Sequence, residues 1–156
     1  MSLNEPLDLG ANKEEPTNEQ TRRHNPIGRL AGFVDHASIG ERAALARLDP
    51  DKLLPHQMAA LSKGLIQAGL DPDNWRPQSW SLWALIAHGM ALAGHDGTGR
   101  LGAQLAQAGV AESRVTKLLT ARGDAFVQLL PSVLRLLASK GVTPHWYELG
   151  PLVLKQ

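Results

Sequence analysis

From Ile27 to the end of the chain, apolar residues recur three and four positions apart, and no segment sustains an alternation in twos. Ile27, Leu30, Phe33 and Val34 make the first helical stripe. The stretch 38–48 opens on Ser38 and Glu41, the Ser-x-x-Glu spacing in which each side chain satisfies the other residue's backbone N–H, and closes at Asp49-Pro50. Pro55 suits the first turn of a third helix running toward Ala68, with Gly69 as its stop. The turn-rich link DPDNWRPQ (71–78) leads into the most apolar helix, 79–94, with Trp80, Trp83, Ile86 and Met90 on overlapping faces. HDGTGRLG loosens the chain before a short helix resumes in RLGAQLAQAG. A stripe of Val115, Leu118 and Leu119 then predicts a helix within 111–124. Asp124 is placed to cap a long helix that ends at Lys140-Gly141 and bends at Pro131, because an interior proline costs about 3 kcal/mol or more. A last helix starts near Pro144 and carries Trp146 and Leu149, with Gly150-Pro151 placed to end it. The pattern predicts an all-α fold, a compact bundle of roughly seven to eight short helices, without internal repeats.

At 156 residues the chain fits one domain of ordinary size, expected over 26–156, behind a flexible acidic tail over 1–25 that is rich in proline and poor in large apolar side chains. It contains no cysteine, which excludes disulfides and thiolate metal sites. No apolar run approaches the roughly 20 residues of a membrane span, and the N-terminus lacks the basic start and apolar middle of a secretory signal. The expectation is a cytoplasmic protein without membrane contact. The net charge of +1 conceals an asymmetry: residues 1–20 carry five acids against Lys13, and the remainder has 15 basic and 10 acidic residues. The folded part is therefore moderately basic, which permits an anionic partner without demanding one.

Several motifs invite chemistry that their context removes. Gly97-Thr98-Gly99-Arg100-Leu101-Gly102 matches G-x-G-x-x-G, but a helix precedes it where the dinucleotide fingerprint needs a strand, so a helix-to-helix loop is the better reading. His88 and His95 on one helix lie about 10 Å apart along its axis, too far for two ligands each about 2 Å from one zinc. The other histidines form no ligand spacing. No nucleophile elbow, acylation motif or paired-carboxylate arrangement is present, so no catalytic residue, metal or cofactor is expected. Trp80 and Trp83 read as core, and with four Trp, one Tyr and two Phe the chain lacks a stacking platform for bases. Any grip on nucleic acid must come from charge.

Arg114 and Lys117 flank the apolar stripe of their helix, with Glu112 on its other side. Arg135 falls opposite the apolar arc of the long helix, and Arg42 and Arg47 lie off the Ala44/Leu45/Leu48 face. From Gly97 to Lys140 six basic residues stand against Glu112 and Asp124. Spacing alone leaves two readings open: a solvated face, which is the commoner, or a surface that tracks phosphates.

The order of motifs resembles the CasB-type small subunit of type I-E CRISPR Cascade complexes. The resemblance rests on Leu101-Gly102-x-x-Leu105-Ala106, then Glu112 and Arg114 opening an apolar helix. The Leu-Arg-Leu-Leu run from Leu134 to Leu137 and a final helix bearing Trp146 follow. Upstream, Gly40-x-Arg42-Ala43-x-Leu45 looks like the family's early helix, and Asn74-Trp75-Arg76 sits where the family carries a basic loop. The likeness spans about 27–154. It implies an all-helical, non-enzymatic subunit that meets the large subunit, the backbone subunits and a second copy of itself. It also implies contact with crRNA, target DNA and above all the displaced single-stranded DNA of the R-loop. Since that strand has arbitrary sequence, contacts to phosphates rather than bases are appropriate. The residues implied are Arg47, Arg76, Arg114 and Arg135, to which the basic pattern adds Arg42 and Lys117. The family often has arginine directly after Leu-Gly; Ala103 stands there, and Arg100, three residues earlier on the same helical face, is the substitute. The competing reading is a helical adaptor whose arginines meet acidic protein surfaces and never touch nucleic acid.

Overall fold

The computed structural model describes residues 25–156. The acidic tail expected over 1–25 therefore lies outside the described residues, save Asn25, whose side chain accepts from the Ile27 N–H at 2.9 Å and caps α1 (Pro26–His36). α2 (Ile39–Ala46) begins with the predicted reciprocal cap: Glu41 N–H donates to Ser38 Oγ at 3.1 Å, and Ser38 N–H to Glu41 Oε1 at 3.2 Å. α3 (Pro55–Gln67) starts on its proline and ends before Gly69, whose φ of +86° is the left-handed turn that releases a helix. A single 3₁₀ turn, Pro72–Asn74, leads to α4 (Pro77–Ala93). α5 (Leu101–Gln107), α6 (Glu112–Thr120), α7 (Asp124–Ser139) and α8 (Trp146–Leu154) complete the eight α-helices of the described residues, which contain no strand.

Three local expectations are corrected. Asp124 is the first helical residue rather than the cap. Gly123 takes that place at φ +59°, its N–H bound to Gln156 Oε1 at 2.6 Å, so a contact from the far end of the chain sets where α7 begins. α4 opens at Pro77, two residues before the predicted start, with proline in the first turn where its missing N–H costs nothing. α8 runs on past Gly150-Pro151 to Leu154. Leu149 and Val153 are both buried and continue its apolar stripe, while a Cβ on Gly150 would lie 2.3 Å from Ile27 Cδ1. Gly150 is there for close approach to α1. α7 is continuous through Pro131, carried by the buried side chains of Phe126, Leu130, Val133, Leu134 and Leu137. Each contributes about 1.5–3 kcal/mol by burial, together well above the proline's cost.

α4 is the hub. Nothing from Trp83 to Ala91 is exposed, and the helix, about 25 Å long at 1.5 Å per residue, packs against α1, α2, α7 and α8. Its hydrogen bonds fix the directions of its neighbours. His88 meets the Leu45 carbonyl and Ser81 the Pro50 carbonyl, so α2 runs antiparallel to it. Trp146 Nε1 donates to the Gly94 carbonyl at 2.8 Å, and Gln78 Nε2 reaches the Gln156 carbonyl at 3.4 Å, so α8 is antiparallel as well. α7 is parallel: its start lines a cleft with Gln78 and Ser81, while Leu134 packs at Gly89. A Cβ at Gly89 would come within 2.5 Å of the fully buried Trp146 ring, so the glycine is the notch that seats the indole. α3 covers α1 and α2, and α6 lies outside the hub against α5 and α7.

Candidate nucleic-acid interface

α6 turns Leu118 inward, which leaves Arg114 half-buried at the edge of the helix and Lys117 exposed. Arg114 Nη2 donates to Ser132 Oγ on α7, and the Ser132 hydroxyl in turn donates to the Leu129 carbonyl at 2.9 Å. The guanidinium is thereby laid against α7 one turn from Arg135, since residues three apart share a helix face. Arg135 is exposed. Arg114 and Lys117 line a shallow groove between the two helices together with Ser113, Thr116 and Leu129.

Arg47 stands at the end of α2, another neighbour of α4. His88, buried in α4, has Nδ1 3.1 Å from the Leu45 carbonyl. A carbonyl can only accept, so Nδ1 carries the proton in that bond. Burial holds the His88 pKa below its ordinary value of 6.5; the positive charge of Arg135 acts in the same direction, and the Leu45 hydrogen bond and the Asp49 carboxylate oppose them. Arg135 on α7 and Asp49 beyond α2 are both within electrostatic reach of one imidazole. Between Leu45 and Asp49 stands Arg47, exposed at the C-terminal cap of α2. Arg47 and Arg135 thus belong to the two helices that flank His88.

The remaining candidates are dispersed. Arg76 is exposed at the N-cap of α4, beside Trp75, which stacks on Trp83 with ring centroids 6.0 Å apart and meets Trp80 edge-on at 5.8 Å. Arg100 belongs to the opposite end of α4, at the N-cap of α5, with Nε 3.7 Å from Glu148 Oε1. The other Glu148 oxygen accepts from the Leu101 N–H at 2.9 Å, so this carboxylate caps α5 and also stands beside the exposed Arg100. Arg42 faces a cavity shared with α1 and the end of α4, where Asp35 and His95 also lie. Among the described residues, Arg47, Arg76, Arg114, Lys117 and Arg135 have no carboxylate within 4.0 Å, unlike Arg100.

Sequence reasoning missed Ser132 and Glu148, the two side chains that decide how Arg114 and Arg100 are held. Both act from other helices, and spacing along one helix carries no signal for them. The glycine-rich stretch is the loop it was read as: α4 precedes it, and Asp96 Oδ1 turns it by accepting from the Thr98 N–H at 2.9 Å and its hydroxyl at 2.6 Å. The histidines at the end of α4 serve packing. His95 Nδ1 accepts from the Trp146 N–H at 3.1 Å, and the buried His145 has Nδ1 3.3 Å from Glu148 Oε1.

No helix among the described residues is long and apolar enough to cross a membrane. No curated protein and no solved structure matches the chain. The family model of CRISPR-associated protein Cse2 does match, over residues 41–155, so it begins inside α2 and leaves α1 outside the matched range. Given that span, the chain belongs to the Cse2 family and is a small subunit of a type I-E CRISPR Cascade complex.

Proposed function

We propose that this subunit is non-catalytic and holds nucleic acid without sequence preference along a basic face built from Arg47, Arg114, Lys117 and Arg135. By gripping the strand displaced when the guide RNA pairs with its target, it stabilises the R-loop, and it bridges neighbouring Cascade subunits. Arg76, exposed at the start of α4, makes a separate contact with the same strand. Arg42 and Arg100, set apart from it, make secondary contacts. The observation that carries the reading is the set of cations on α6 and α7: the Arg114 guanidinium rests on Ser132, one turn from Arg135, Lys117 lines the same groove as Arg114, and none of the three pairs with a described carboxylate. Phosphate contacts of this kind suit a strand of arbitrary sequence. R-loop formation exchanges one duplex for another of similar stability, so a few such contacts suffice to shift the balance. The bridging role is supported by Met58, Ile66 and Leu54, apolar yet exposed on and just before α3, away from the hub.

The test is single-stranded DNA binding by the full chain as a function of salt. Arg47→Ala, Arg114→Ala and Arg135→Ala each weaken binding and flatten the log–log salt slope by about one. If all three bind like wild type with unchanged slopes, the basic face is not a phosphate track, and the adaptor reading takes its place.

A further inference from the structure

We propose that Ser132 is a positioning residue that holds the Arg114 guanidinium in register with Arg135, so that the two cations meet one sugar–phosphate backbone as a prearranged pair. This rests on the nucleic-acid reading above and adds to it a residue that need not touch the ligand. The chemistry of the hydroxyl sets its role. Its proton is committed to the Leu129 carbonyl at 2.9 Å, which leaves the oxygen as an acceptor facing Arg114 Nη2. In that state Ser132 cannot donate to a phosphate; it can only hold the arginine. A guanidinium has five N–H groups in a rigid fork, and one directed at Ser132 leaves four for a phosphate.

The geometry gives the hold a purpose. Arg114 issues from α6, but its charged end rests on α7, where Ser132 and Arg135 lie three apart on one face with Cβ atoms about 5–6 Å from each other. An arginine already fixed by a neighbour loses less rotamer freedom when it binds, so the hydroxyl raises affinity without adding a contact to the ligand. A plain staple between α6 and α7 would use the same hydrogen bond but would be indifferent to DNA.

The experiment measures binding of a mixed-sequence single-stranded oligonucleotide across a salt series, with thermal midpoints alongside. The full-length variants are Ser132→Ala, Ser132→Thr, Arg114→Ala and the Ser132→Ala/Arg114→Ala pair. Ser132→Ala should weaken binding roughly two- to tenfold, the scale of one net hydrogen bond, with the salt slope unchanged because Arg114 keeps its charge. Ser132→Thr, which restores the hydroxyl, should bind like wild type. Arg114→Ala should flatten the slope by about one, and the pair should bind no worse than Arg114→Ala alone. Ser132→Ala binding as wild type does, whatever its midpoint, reduces Ser132 to a staple and overturns the proposal while leaving Arg114's role intact. Additive losses in the pair overturn it too. An Arg114→Ala variant unchanged in affinity and slope removes Arg114 from the track and takes this inference with it.

Discussion

Burial and the neighbouring Arg135 charge both keep the His88 imidazole neutral, and this has a consequence in acid. The folded pKa is below the unfolded value of 6.5, so as pH falls the unfolded chain takes up the proton first. Stability attributable to this group is complete above pH 6.5 and declines below it, toward the folded pKa. Urea denaturation at pH 5 and pH 7.5 should show that decline, and His88→Gln should lessen it. Arg135→Gln should lessen it as well, because one of the charges opposing protonation is gone. Equal acid sensitivity in wild type and Arg135→Gln would separate Arg135 from His88. The same scale shows why the site was only partly readable in advance. That Arg114, Lys117 and Arg135 leave their helices on the polar side followed from periodicity. That Arg114 is laid on Ser132, and Arg100 beside Glu148, depends on which helices face one another.

Among the elements, those bounded by their own residues were legible: Ser38 and Glu41 opened α2, Pro55 opened α3, and Gly69 followed its end. Those bounded by a partner were not. Gly150-Pro151 has the composition of a helix stop, yet Leu149 and Val153 are buried on either side and α1 crosses at the glycine. The two crossings that α8 makes should respond differently to an added methyl. At Gly89 the obstacle is the rigid, fully buried Trp146 ring, and Gly89→Ala should destabilise by about 1–3 kcal/mol through overpacking. At Gly150 the nearest atom is Ile27 Cδ1, the tip of a side chain. Gly150→Ala should cost less, and Ile27→Val, which deletes that methyl, should recover part of the loss. Chemical denaturation of Gly89→Ala, Gly150→Ala, Ile27→Val and the Gly150→Ala/Ile27→Val pair checks the order; additivity in the pair would mean the two do not meet.

For the molecule as a whole, the fold class and helix number were evident in the spacing of apolar residues, whereas the distribution of charge over the surface was not. Packing places Arg76 and Arg100 at opposite ends of α4 and, among the described residues, gives Arg100 but not Arg76 a carboxylate within 4.0 Å. In binding to single-stranded DNA, Arg100→Ala should therefore change the salt slope less than Arg135→Ala, since Glu148 already serves as its counter-ion. Equal changes would return Arg100 to the main track. The tryptophans are divided between the same two ends. Trp75 meets both Trp80 and Trp83 around the start of α4, while Trp146 is sealed against the other end of the helix. Indoles in contact share their excited states and give a paired circular-dichroism band, to which an isolated indole such as Trp146 does not contribute. The Trp75 cluster thus makes the start of α4 optically distinct, and if nucleic acid binds beside Arg76 that band should change on binding.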